Sequence, residues 1–302
     1  MTICEYPTDS YIPMYGSVAS SKCLHFEKIR ACANVSRLKP VRDVGTTTCL
    51  GEVVIDGPCS SEAVVLRSYP LRESDLIAVL YTRRYGRVSG VARGARRSKS
   101  RFAGKLEPLS WADLVLFGSK SSDLVTIDSA DLIDSFSQRT HDYRCLLQLS
   151  FLAELLADTT PEREPSDAVF RLALLVLPHL TQPATADLAQ LYLEIWYLKL
   201  AGLYPTHRHC HQCQLRLGDD EAVFVGAGRS LFVCSRCQTG SRSISVDAVG
   251  LLDTIGRSHL ASVLRSCVAP AVVTEVRTIT ESLLQQSFER SFRSLKLLCQ
   301  PT

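Results

Sequence analysis

The 302-residue chain is 46% hydrophobic and 22% charged with a formal net charge of +3, an ordinary globular balance that excludes wholesale disorder and leaves room for about two or three domains with real cores. No apolar run approaches the eighteen or so residues of a membrane span, and the opening MTICEYPTDSYIP lacks a basic-then-apolar leader pattern. A cytoplasmic protein with no membrane partner is expected, and its twelve cysteines are expected to be thiols or metal ligands rather than a disulfide frame.

The charge is unevenly divided. Residues 1–60 carry six basic and six acidic side chains, residues 61–140 thirteen and nine, and residues 141–302 fifteen and sixteen. The first sixty residues hold five scattered cysteines (Cys4, Cys23, Cys32, Cys49, Cys59) without CxxC pairing and without a sustained period of 2 or 3.6. A poorly ordered extension is expected over 1–60.

From Ser61 the pattern changes to short strands divided by turn signals. Strands are predicted at Glu62–Leu66, Leu76–Thr82, Val88–Ala92, Leu109–Phe117 and Leu124–Ile127, with Tyr85-Gly86 and Ser121-Ser122-Asp123 at tight turns. Five short strands without intervening helices fit an OB-fold β-barrel over 61–140, and an SH3-like barrel would give a similar pattern. Asp128, Asp131 and Asp134 recur every three residues and are read as a solvated connection after the last strand rather than a metal cluster.

Within this region Arg83 to Lys105 holds nine basic residues and no Asp or Glu. Gly86, Gly90, Gly94 and Gly104 rule out one long helix with a solvated basic face. An uncompensated positive field attracts a polyanion, and nucleic-acid phosphate is the usual one. The residues expected to carry it are Arg84, Arg87, Arg93, Arg96, Arg97, Lys99, Arg101 and Lys105, with Tyr85 and Phe102 as stacking aromatics. Loops built for solubility alone normally mix both signs.

After about His141 the texture becomes helical, and an all-helical domain is expected over 141–302. Helices are predicted at Tyr143–Ala157, after a Ser166 cap with Pro178 near the end, at about Thr185–Ala201 with Gly202 as the left-handed terminator, and as one amphipathic helix over Val272–Leu297. Embedded near 207–240 are Cys210-x-x-Cys213 and Cys234-x-x-Cys237, separated by twenty residues. Two such knuckles at the ends of a hairpin supply four thiolates, for which one structural Zn²⁺ per chain is the usual occupant. An Fe–S cluster satisfies the same ligand count, and His207, His209 and His211 lie near enough in sequence to substitute. A redox pair would need a knuckle opening a helix, which neither does. The chain has no GxxxxGK[ST], GxSxG or HExxH, so the sequence argues against an enzyme.

The order of parts resembles the RecO family of bacterial DNA-repair proteins. The resemblance rests on the Glu73-x-Asp75 pair, Thr82 before Tyr85-Gly86, the run Val91-Ala92-Arg93-Gly94-Ala95-Arg96-Arg97-x-Lys99-Ser100, the Leu200-Ala201-Gly202-Leu203-Tyr204-Pro205 lead into the first knuckle, and the ending Ser294-Leu295-Lys296. It covers about residues 61–298; the first sixty residues have no counterpart, and Gly226 and Gly228 are spaced where the family's glycines adjoin. It implies an α+β multidomain protein, with an OB-fold domain followed by a helical domain and its Cys4 zinc module. It implies binding of single- and double-stranded DNA, ATP-independent annealing of complementary strands, and action on strands coated by single-stranded-DNA-binding protein. Partnership with RecR and indirect help to RecA in the RecF pathway are implied with it. The other readings are a zinc-ribbon transcription or RNA-processing factor, and a divalent-metal-dependent nuclease.

Overall fold

Ala78 and Leu80, and Leu114 and Leu116, each two residues apart, point inward with Ala63 and Ala92, so that five strands curl around one small apolar interior. β1 (Gly57–Leu71), β2 (Asp75–Thr82), β3 (Gly86–Ala92), β4 (Ser110–Ser119) and β5 (Ser122–Ser135) close into a barrel in the order β1-β2-β3-β5-β4. Every pairing is antiparallel except the short parallel contact of β3 with β5, Ser89↔Leu124 to Val91↔Thr126. This is the OB-type barrel. The computed structural model describes residues 48–49, 52–53, 55–119, 122–218, 222–225 and 232–298, all within one compact unit, Leu38–Thr302.

Two strands are longer than the sequence pattern predicts. β1 begins at Gly57 and pairs Gly57–Ser60 with Val115–Gly118, so the last four residues assigned to the extension belong to the barrel. A two-residue pair, Thr48–Cys49 with Glu52–Val53, precedes it, and residues 1–47 lie outside the described residues. β5 runs on to Ser135 through register shifts opposite β4. Asp128, Asp131 and Asp134 therefore stand on a strand and not in a connection. Bulges break the two-residue alternation there, which gives the aspartates their apparent period of three.

The helical part is built from α1 (Tyr143–Thr159), α2 (Asp167–Leu180), α3 (Pro183–Leu200), α4 (Val246–Arg257), α5 (Leu260–Arg265), α6 (Pro270–Ser287) and α7 (Arg293–Leu298). Asp142 caps α1 through Cys145 N at 2.9 Å, and Ser166 caps α2 through Val169 N at 3.4 Å. α3 is sheathed by its neighbours and ends at Gly202, whose φ of +72° lets the chain reverse. The single helix expected over 272–297 is two helices. Phe288 packs on Tyr197 of α3 at 5.8 Å, whereas Phe292 meets Phe151 of α1 edge-on at 5.7 Å. Seating both rings takes a break, made at Glu289 with φ +49°, and Glu154 accepts the amides of Arg293 and Ser294 to start α7.

The helical core covers the lower outer face of the barrel. Val64, Leu66 and Tyr81 belong to the helical cluster, and Tyr81 stacks on Phe170 at 6.4 Å. Buried Arg83 ties Glu62 of β1, 3.2 Å away, to Asp167 at the start of α2, 2.7 Å away. The loop between α1 and α2 lies along β3: Arg163 N donates to Arg87 O at 3.0 Å, and a Cβ on Gly86, at φ +65°, would sit 2.3 Å from Glu164 O. Gly86→Ala should therefore force barrel and loop apart, with a loss of about 2–4 kcal/mol in chemical denaturation. A loss under about 0.5 kcal/mol would show that this contact relaxes freely.

Inside the helices, fully buried Glu194 accepts from Gln190 at 2.8 Å and hydrogen-bonds Thr280. Burial pushes its carboxyl up to about 7, against the opposing pull of the Thr280 and Gln190 hydrogen bonds. An acid whose folded pKa lies above its unfolded value binds its proton more tightly in the native state. That advantage is complete below about 4.5 and is lost as pH rises through about 7. Glu194→Gln, which keeps the shape and cannot ionise, should lose less stability than the parent between about pH 5 and pH 8, by a margin of up to a few kcal/mol in urea midpoints. Parallel pH profiles for the two proteins would contradict a buried neutral carboxyl.

Candidate nucleic-acid interface and metal centre

The basic run is divided by the length of β3. Arg83, Arg84 and Arg87 stand at its lower end, toward the helices, and Arg93 to Lys105 at its upper end, about 20 Å away at the rise of a strand. Arg87 Nε donates to Thr160 O at 2.9 Å and its Nη1 meets Glu162 at 2.9 Å, so its guanidinium is spent on the α1–α2 loop. Arg84 Nη1 reaches Ser60 O at 3.4 Å. The structure does not bring these two together with the upper group.

The upper group rides on a loop, residues 93–109, folded into successive turns across the mouth of the barrel. Ser100 N donates to Arg97 O, Ala103 N to Ser100 O and Lys105 N to Phe102 O, all within 3.0–3.2 Å. Phe102 and Leu106 drop into the mouth and join the barrel core. Asp75 and Ser74 latch the loop's start: Gly94 N donates to Asp75 Oδ1 at 2.8 Å, and Arg96 N donates to Ser74 O at 3.0 Å. The Gly94 amide holds the Asp75 carboxyl below its usual range, with Ser74, Arg72 and Arg93 adding to it. This latch is the structural content of the Glu73-x-Asp75 motif.

With its apolar side chains inward, the loop turns Arg93, Arg96, Arg97, Lys99 and Arg101 outward, all exposed. Arg96 Nη1 donates to Arg72 O at 3.1 Å and to Glu73 O at 3.3 Å. Arg101 pairs with Asp128 at 3.3 Å, and half-buried Lys105 donates to Ala130 O at 2.7 Å beside Asp131. Arg72, in the β1–β2 turn, adds a cation that lies outside the basic run of the sequence. The signal was available, since antiparallel pairing of β1, β2 and β3 must set residues 72–74 beside the start of this loop.

The two aromatics expected to stack on bases are core residues. Tyr85 is 5% exposed and Phe102 3% exposed, both inside the barrel cluster. A five-stranded barrel closes only when large side chains plug its ends, and these two fill that role, leaving neither a free ring face. Burial also pushes the Tyr85 phenol up to about 12.

The four knuckle sulfurs come together. Those of Cys210, Cys213, Cys234 and Cys237 all lie within 4.8 Å of one another, and Cys213 Sγ is 3.7 Å from Cys234 Sγ. Tetrahedral thiolates at about 2.3 Å from one ion would stand about 3.8 Å apart, so the set fits a metal ion. β6 (Phe224–Val225) pairs with β7 (Phe232–Val233) and with β8 (Arg242–Ser243). Phe232 O accepts from His211 N at 2.8 Å, fastening one knuckle to the strand that leads into the other. Gly226 and Gly228, expected at the bend, lie outside the described residues. At Cys210 burial works against ionisation, but the amides of Cys213, Cys234 and Gln212 outweigh it and bring the thiol down to about 6. Hydrogen bonding to Cys213 and Cys234 pushes Cys237 up to about 12. Sulfurs this close do not all ionise without a cation among them. His207, His209 and His211 are not members of the set, and among the described residues no other group of His, Cys, Asp or Glu converges in this way. The three strand aspartates face separate cations, Arg101, Lys105 and Arg139.

Comparison with known proteins follows the same two-part division. The family profile described as Recombination protein O N terminal matches residues 58–136, and Recombination protein O C terminal matches residues 140–296. The chain is 33% identical over 238 residues to the DNA repair protein RecO of Koribacter versatilis, covering 79% of this chain and 97% of that one. It is 30% identical over 256 residues to the RecO of Syntrophotalea carbinolica, covering 81% and 95%, and 29% identical over 241 residues to that of Geobacter metallireducens, covering 80% and 96%. With both profiles matched in order on an OB-type barrel and the helical part behind it, the chain belongs to the RecO family of recombination and DNA-repair proteins.

Proposed function

We propose that the chain binds single-stranded DNA, anneals complementary strands without a nucleotide, and with RecR helps RecA onto strands coated by single-stranded-DNA-binding protein. Binding of double-stranded DNA, and work in the cytoplasm at the nucleoid, belong to the same reading. Among the described residues no helix is long and apolar enough to cross a membrane. The observation that carries the proposal is the exposed cationic loop latched over the barrel mouth by Asp75 and Ser74. Its cations are presented outward and spaced along an ordered backbone, which suits a row of phosphates. The chain acts as a binder without covalent chemistry of its own. The ion proposed for the cysteine set is Zn²⁺, closed by four thiolates, leaving no position for substrate.

For single strands the slope of log K against log salt is about −0.7 per phosphate contact. If about four of Arg93, Arg96, Arg97, Lys99 and Arg101 touch phosphate, replacing all five with Ala should flatten the slope by roughly 3. Annealing of complementary oligonucleotides should slow in parallel, and in the parent it should persist in EDTA. An unchanged slope would remove this loop as the DNA-binding face. Preference for RNA or duplex without annealing would favour a zinc-ribbon transcription or RNA-processing factor, and metal-dependent strand cleavage would favour a nuclease.

Elemental analysis of gently purified chain should find about one zinc per chain. Cys210→Ser and Cys234→Ser should lose the metal and melt at lower temperature, because metal binding is folding free energy. Stoichiometric iron, or variants that keep the metal, would overturn the assignment.

A further inference from the structure

We propose that unpaired bases of a bound single strand rest on the upper outer face of β1–β2–β3, with Tyr69 as the stacking residue; this rests on the nucleic-acid-binding function proposed above. In an antiparallel sheet, directly paired residues share a face. Tyr69 pairs with Ile77, and Ile77 pairs with Val91. Along β2 the neighbours Leu76, Ala78 and Leu80 belong to the barrel interior, so Ile77 and its two partners point outward. The next outward positions down β2 are Val79 and Tyr81, and these pack against the helical core. Cover by the helices therefore stops between Val79 and Ile77. Above that line Tyr69 is 47% exposed, with half-buried Ile77 and Val91 as the apolar floor beside it.

The edge of this floor is positive. Arg93 follows Ala92 off the end of β3, and Arg72 follows Leu71 off the end of β1 into the β1–β2 turn, both exposed. Both lie close enough to Asp75 to hold its carboxyl down. The Tyr69 hydroxyl lies against the Arg67 guanidinium, which is itself anchored on Asp158 at 2.8 Å. The ring is thus held at one end and free on its outward side. An aromatic over an apolar floor, rimmed by cations that continue into the Arg93–Arg101 loop, is complementary to a single strand, whose bases are flat and apolar and whose phosphates are negative. Base–aromatic stacking works with any base, so the face carries no sequence preference.

The test uses the full chain and oligodeoxythymidylate. Tyr69→Ala should weaken binding by about tenfold with an unchanged salt slope, because stacking releases few ions. Tyr69→Phe should bind close to the parent, and Tyr69→Trp should show its emission quenched by the oligonucleotide. Affinity for blunt duplex, whose bases are already stacked, should be the same in Tyr69→Ala and the parent. Tyr143→Ala, a 60%-exposed tyrosine at the start of α1, should change nothing. If the parent binds with a steep salt slope and Tyr69→Ala binds equally well, this inference falls and the proposed function stands. If the parent does not bind the oligonucleotide, both fall.

Discussion

Burial of Phe102 and Leu106 in the barrel mouth sets the arrangement of the charge above it. Five strands leave an interior that needs large side chains at its ends, and burying a Phe or Leu is worth about 1.5–3 kcal/mol each. Here the plugs come from the same loop that bears the cations. Each apolar side chain driven inward obliges its polar neighbours to face water. The glycine-punctuated turns and the Asp75–Gly94 and Ser74–Arg96 links then hold the loop in one path. Cations carried on an ordered path lose less entropy when a polyanion arrives than cations on a free loop would.

The lower half of the barrel answers to a different constraint. Tyr81, Leu66 and Val64 are apolar groups on the outside of a barrel, and they need cover from water. The helices supply it, and buried Arg83 stands between Glu62 and Asp167 across the junction. A buried charge with two carboxylates in hydrogen-bond reach is tolerated; losing both partners would leave it uncompensated at a cost of several kcal/mol. The junction is therefore specific as well as apolar, and two of the nine cations in the run, Arg83 and Arg87, are committed to it.

Much of this was legible in the sequence because it rests on local signals. The five strands followed from alternation and turns, one helix start from Ser166 and one helix end from Gly202, and the four-cysteine cluster from CxxC spacing. What stayed hidden depends on register. Whether Tyr85, Phe102 or Tyr69 faces solvent is a matter of which strand each one meets, and residue type alone does not say. Proximity in sequence to arginines suggested Tyr85 and Phe102, whereas pairing with Ile77 singles out Tyr69. The bulges of β5 disguised a strand as a connection, and the separate seats of Phe288 and Phe292 broke a helix whose apolar stripe looked continuous. The helices α4 and α5 went unpredicted because each is short and leans on neighbours for its stability.

The cysteine module is joined to the helices by polar chemistry that follows from its own burial. His207 lies edge-on to Phe232 at 5.6 Å, and burial, with Arg208, Lys199 and Arg257 nearby, brings its imidazole down to about 4. It is therefore neutral at ordinary pH, and its Nε2–H donates to Asp253 of α4 at 2.8 Å. Arg208 pairs with the same carboxylate, so one Asp on α4 anchors two residues leading into the first knuckle. Phe232 is fully buried in the helical cluster, and its strand runs into Cys234. Whatever free energy an ion contributes by gathering four thiolates is thus passed to α4 through a ring and a carboxylate. The module stabilises the helical part that covers the lower barrel, and the cationic face is left to the loop at the opposite end of β3.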